Sequence, residues 1–170
     1  MSAYTLSQLL VLLAIVSDAI SFQFRDRKKI LLCLFVSVAL TAIHFFLLKQ
    51  PTAALLMLLA AGRYLAGVHS TSRRTMGAFI GLCIATTALT YNGLLSILSC
   101  TGSVIHTAGA FCRDDRHLRL TMIVGTLFWI AHNILAKTPG GVVLESLFLC
   151  SNLAGYYRHY IRHKRSPGSV

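Results

Sequence analysis

The chain has 170 residues, of which 55% are hydrophobic and 12% charged, with a formal net charge of +11 and a mean hydropathy of +0.68. Soluble domains carry about 25% charged residues, so this composition excludes an ordinary soluble domain and points to a membrane protein. The positive charge does not make a nucleic-acid binder: basic residues punctuate apolar runs instead of covering one face of a soluble scaffold, and no nucleic-acid partner is expected.

Taken in order, seven apolar segments read as membrane helices: Tyr4–Phe24, Ile30–Leu48, Thr52–Val68, Met76–Tyr91, Gly93–Cys112, Leu118–Ala136 and Gly141–Tyr160. Several are near the short end of the about 17–25 residues that span a bilayer. The fourth, short and rich in Thr and Gly, is the weakest. The first is expected to be a retained span, because no basic region precedes it and its first positive charges, Arg25 to Lys29, follow it. With seven spans, thirteen of the basic residues fall on one side and two, Lys49 and Lys137, on the other. That asymmetry is a positive-inside signal. It sets the N-terminus outside and the C-terminus in the cytoplasm of a multi-pass plasma-membrane protein. Anionic lipid headgroups on the cytoplasmic side are the expected partners of the basic clusters.

An internal repeat runs through these elements with an offset of 88 positions. His44, Lys49, Pro51, Ala66 and Gly67 recur as His132, Lys137, Pro139, Ala154 and Gly155, and Arg25-Asp26 recurs as Arg113-Asp114. Residues 4–69 form the first repeat, 76–91 a linker helix, 92–160 the second repeat and 161–170 a basic cytoplasmic tail. An offset of four spans makes the halves parallel, a 3+1+3 arrangement. The expected fold is therefore all-α, a single polytopic domain. Its topology resembles the SWEET/PQ-loop class of transporters, although Gln50-Pro51 reverses that class's Pro-Gln dipeptide.

Polar groups inside a bilayer are costly, so they are the functional candidates. His44 and His132 occupy equivalent positions near the outer ends of their helices and suit substrate hydrogen bonding or proton coupling; the plain alternative is that each bridges to a neighbouring helix. Glu145 and Asn152 are two turns apart on one face of the last span. Arg63, whose repeat partner is Ser151, is a candidate carboxylate or phosphate ligand, or it neutralises Glu145 or Asp18. Asp18 and His106 are repeat partners. Substrate binding is assigned to His44, His132, Asn133, Asn152 and Arg63, and proton coupling to Glu145, Asp18 and His106. Arg25-Asp26 and Arg113-Asp114 read as helix-end pairs with topology charge. Gly77-Ala-Phe-Ile-Gly81 is a small-residue face that would pack within the chain by default or against a second copy in a homo-oligomer.

Cys33, Cys83, Cys100, Cys112 and Cys150 show no ligand spacing and read as apolar packing residues. No cofactor or metal is expected, and the hydrolase, Walker and zinc motifs are absent, which argues against an enzyme.

Two stretches, His44-Phe-Phe-Leu-Leu48 with Pro51 and Arg63, and Trp129-Ile-Ala-His132-Asn133 with Gly140-Gly141, Glu145 and Asn152, together with Arg25-Asp26, resemble the YgjV-type bacterial inner-membrane protein family. The resemblance implies a bacterial inner-membrane location and no particular activity. The expectation is a small-solute transporter or facilitator, possible proton coupling included, with the site near the two histidines. The alternative is a structural, partner-binding or lipid-interacting protein.

Overall fold

The computed structural model describes residues 3–47, 51–89, 91, 93–135 and 139–162. Lys49, Lys137 and the tail from residue 163 lie outside them. Seven α-helices follow one another: α1 Ala3–Ser21, α2 Arg27–Leu47, α3 Pro51–His69, α4 Arg73–Leu89, α5 Leu94–Ala110, α6 Asp115–Leu135 and α7 Pro139–Tyr156, the last running into a π-helical turn at Tyr157–Ile161. There is no strand among the described residues.

Local chemistry sets the helix ends. Pro51 and Pro139 open α3 and α7, positions where a missing N–H costs nothing. Asp26 Oδ1 accepts the Lys28 N–H at 2.8 Å and Asp114 Oδ1 accepts the His117 N–H at 2.7 Å, so each repeated Arg-Asp pair caps the helix that follows it. Ser72 Oγ accepts the Arg74 N–H at 3.2 Å, which starts α4 three residues before the apolar run expected from Met76. Gly93, at φ 68°, supplies the left-handed residue before α5.

Neighbouring helices pack in sequence, α1 on α2 on α3 and α4 on α5 on α6 on α7. Two further packings bring together α1 with α7 and α3 with α5. Both depend on a glycine. A Cβ on Gly67 would meet the Ala110 carbonyl oxygen at 2.7 Å and Leu31 Cδ1 at 3.3 Å, and one on Gly155 would collide with the Phe22 carbonyl oxygen and Arg119 Nη1. Phe22 and Ala110, Leu31 and Arg119, and Gly67 and Gly155 are all related by the offset of 88. The two glycines therefore stand in matching surroundings.

Arginines complete both contacts. Arg27 Nη2 donates to the carbonyls of Gly67 (2.6 Å) and Ala110 (2.7 Å). Arg119, fully buried, donates through Nη1 to the Phe22 carbonyl at 2.8 Å and through Nη2 to the Phe24 carbonyl. Arg158 and His159 donate to the Gln23 carbonyl. A helix end leaves carbonyls without intrahelical partners, and these cations satisfy them where the helix dipole favours positive charge.

The distribution of polarity is inverted relative to a soluble protein. Leu12, Leu13, Val16, Ile97, Leu127 and Val143 are each more than half exposed, whereas Ser37, Arg63, His106, Thr107, Arg119, Thr126 and Asn152 are buried. An apolar surface of this extent needs an apolar solvent. By length and composition, one described helix, Asp115–Leu135 with mean hydropathy 1.4, is long and apolar enough to cross a membrane; the apolar stretches Leu12–Ser21 and Leu94–Ala110 are shorter. Among the described residues, the glycine face of α4 meets no neighbour: no atom lies within 4 Å of a Cβ built on Gly77 or Gly81.

The apolar core, including Phe22, Ile30, Leu31, Phe111, Leu118 and Met122, sits where α1, α3, α5 and α7 end and α2 and α6 begin. The opposite end of the bundle is hollow.

Candidate functional site

All seven helices line a cavity of about 320 Å³. Its walls come from the C-terminal halves of α2, α4 and α6 (Thr41, Thr87, Asn133) and from the N-terminal halves of α5 and α7 (Ser96, Gly141, Glu145). Leu34, Tyr64 and Phe148 belong both to this lining and to the apolar core, so they form its floor.

Five of the eight sequence-derived site residues line this cavity: Asp18, Arg63, His106, Asn133 and Glu145. Arg63 reaches from α3 to α5, where Nη1 donates to Thr107 Oγ1 at 3.2 Å and to the Ser103 carbonyl at 3.3 Å. Its guanidinium carbon lies 4.7 Å from the centre of the Tyr64 ring. Its Nε is buried without a hydrogen-bond partner. Among the described residues, the salt bridges are His117–Asp114 and Arg119–Asp115, so Arg63 is paired with neither Asp18 nor Glu145. His106 occupies space left by Gly125, and its Nε2 lies 3.3 Å from both the Met122 carbonyl and Thr126 Oγ1. Donation to the carbonyl fixes the tautomer with the proton on Nε2. The Asn133 side chain rests on Gly141, where a Cβ would lie 2.6 Å from Oδ1.

The other three residues sit outside the lining. His132 Nδ1 donates to the Leu95 carbonyl at 2.9 Å, and its ring meets Trp129 edge-on with centroids 5.4 Å apart; this is a bridge from α6 to α5. Asn152 is fully buried and donates through Nδ2 to the Arg119 carbonyl at 2.9 Å, behind the floor. His44 lies half-buried in the last turn of α2. In the sequence Arg119 is one of the thirteen basic residues that read as topology charge, and no motif marks the cavity hydroxyls of Ser37, Thr41, Thr86, Thr87 and Ser99. Spacing held one clue to Arg119: Asp115 lies four residues before it, a helical ion-pair register. Among the described residues no cluster of His, Cys, Asp or Glu is placed to hold a metal ion.

An inverted surface, helices throughout the described residues and an interior cavity that holds ionisable side chains define a helical integral membrane protein. The chain belongs to the Imp-YgjV family of bacterial inner membrane proteins, whose model matches residues 5–163. It is 29% identical over 165 residues to inner membrane protein YgjV of Escherichia coli (strain K12), covering 97% of this chain and 90% of that protein. No solved structure matches it.

Proposed function

We propose that the chain is a small-solute transporter or facilitator of the inner membrane. In this reading it has seven spans in two parallel three-helix halves joined by α4, its N-terminus is outside, and its C-terminus is cytoplasmic. The observation that carries the reading is the division of the interior: hollow and set with polar side chains at one end, apolar and sealed at the other. The matched surroundings of Gly67 and Gly155 support the two-half arrangement. Arg25, Arg27, Arg113, Arg116 and Arg158 lie at the sealed end, so the positive-inside rule makes that end cytoplasmic and the cavity outward-facing. Transport then requires the Arg27 and Arg119 contacts to open while the far end closes, a population shift between two packed states.

Within the site, Arg63 and Asn133 bind the solute. Asp18, Glu145 and His106 carry protons if uptake is coupled. His132 and Asn152 act outside the lining, as ties between α6 and α5 and between α7 and α6, and His44 also lies outside it. The reading assigns no catalysis. It is tested by uptake of a solute panel into proteoliposomes, with Arg63→Gln, Glu145→Gln and His132→Ala. Saturable uptake by the wild type that falls more than about tenfold in the first two variants is expected. Uptake no greater than in empty vesicles for every solute, or indifferent to both variants, overturns it.

A second reading, lipid interaction, draws on a groove lined by Arg27, Lys28, His69 and Arg113, suited to an anionic headgroup. Stabilisation by phosphatidylglycerol but not phosphatidylcholine, lost in Lys28→Gln, supports that reading; equal stabilisation by both lipids rejects it.

A further inference from the structure

The charges on the cavity wall are sorted by sign. Arg63 belongs to α3 and is tied to α5 through Thr107 and Ser103. Asp18 and Glu145 belong to α1 and α7, which pack on one another, and both side chains line the cavity. The basic group therefore lies at the α3–α5 contact and the acidic groups at the α1–α7 contact. The two contacts are related by the repeat offset, but the charges are not: Arg63 corresponds to Ser151, Asp18 to His106 and Glu145 to Met57. A symmetric frame thus carries an electrically polar site.

Charges at this depth that merely neutralised one another would be expected to touch, since leaving a buried ion uncompensated costs several kcal/mol. Here Arg63 is 7% exposed and, among the described residues, has no carboxylate within ion-pair distance. The gap between the walls is what a dipolar ligand would fill. The geometry points to a small zwitterion as the occupant: its carboxylate on Arg63, its ammonium between Asp18 and Glu145, and its remaining polar atoms on the hydroxyls of Ser37, Thr86 and Ser99. A simple anion would leave both carboxyl groups unanswered, a simple cation would leave Arg63 unanswered, and a neutral polyol would answer none of the three. A cavity of about 320 Å³ is at the small end of ligand sites, about 300–1,000 Å³, which fits an amino-acid-sized molecule.

That the zwitterion is cargo rests on the transport reading; that it binds does not, and the experiment separates the two. Purified protein is titrated calorimetrically with glycine, β-alanine and γ-aminobutyrate, which graduate the distance between the charges, and with butyrate, butylamine and glycerol. At least one amino acid should bind roughly tenfold tighter than butyrate and butylamine. Arg63→Gln should reduce its affinity to that of butylamine, and Glu145→Gln to that of butyrate. Should either variant fail to fold, the ranking on the wild type alone decides. The inference is overturned if glycerol or a singly charged probe binds as tightly as every amino acid, or if none of the three amino acids binds. Binding of an amino acid without uptake into liposomes overturns the transport reading and leaves the site standing. Glycerol uptake without amino-acid binding does the reverse.

Discussion

Arg119 and Arg63 are both buried cations on inward helix faces, yet the structure assigns them opposite burdens. Arg119→Met keeps most of the side-chain volume and removes the donors to Phe22, Phe24 and Asp115. Hydrogen bonds from a charged donor contribute about 1.5–3 kcal/mol each, so the two carbonyl contacts together contribute about 3–6 kcal/mol. Relief of the guanidinium's own desolvation returns part of this, leaving a net loss of about 3 kcal/mol. Arg63→Met removes two longer bonds, and its acceptors keep each other: Thr107 Oγ1 already donates to the Ser103 carbonyl at 2.7 Å. Its loss should cost about 1 kcal/mol or less. For a chain of this size 1 kcal/mol corresponds to roughly 2–4 °C, so Arg119→Met should lower the thermal midpoint by roughly 6–12 °C and Arg63→Met by no more than about 4 °C. The single tryptophan, Trp129, reports unfolding by its fluorescence in detergent. Equal midpoints for the two variants, or an Arg119→Met protein as stable as wild type, would refute the division of labour.

Other expectations follow from single contacts. Gly67→Ala and Gly155→Ala should each cost about 1–3 kcal/mol by overpacking, whereas Gly77→Ala, with open space around it, should leave the thermal midpoint unmoved. His132→Ala should destabilise by about 1 kcal/mol through the lost bond to Leu95 and leave the KM for uptake unchanged; a raised KM would return His132 to the site. Asp114→Ala removes the cap of α6 and should cost about 1 kcal/mol near neutral pH. The His117 N–H and ring hold the Asp114 carboxyl below its ordinary value of 3.8. A depressed carboxyl stabilises the fold above the ordinary value and loses that contribution as pH falls through the lower, folded one, so the gap between wild type and variant should close only in strong acid. A gap that widens on acidification would contradict the capping geometry.

The helices were legible because apolar runs and basic punctuation alternate so plainly, and their ends moved for reasons composition does not record: a serine cap carries α4 back to Arg73, and Asp115 begins α6 before its apolar run. The cavity residues were legible as polar atoms in apolar sequence, which is how Asp18, Arg63, His106, Asn133 and Glu145 came to be singled out together. What no spacing rule separates is a charge that faces water at a helix end from one turned inward. Arg116 and Arg119 are three residues apart, yet Arg116 is exposed and Arg119 is fully buried. Repeat identity was also double-edged. His132 recurs from His44, but its nitrogen is engaged by a backbone carbonyl, as a residue retained for packing would be, while Arg63, Asp18 and Glu145, which line the cavity, are not shared by the repeat.

The glycine contacts have a consequence for how the chain holds together. Gly67 meets the end of α5 and Gly155 the turn after α1, so each group of three helices helps to close the carbonyl end of the other's first helix. Under the two-half reading the molecule is a fused dimer in which every such closure would be intermolecular before fusion. Covalent continuity through α4 then supplies proximity more than structure. Fragments 1–71 and 72–170, expressed together, should reassociate in the membrane, and neither should persist when expressed alone.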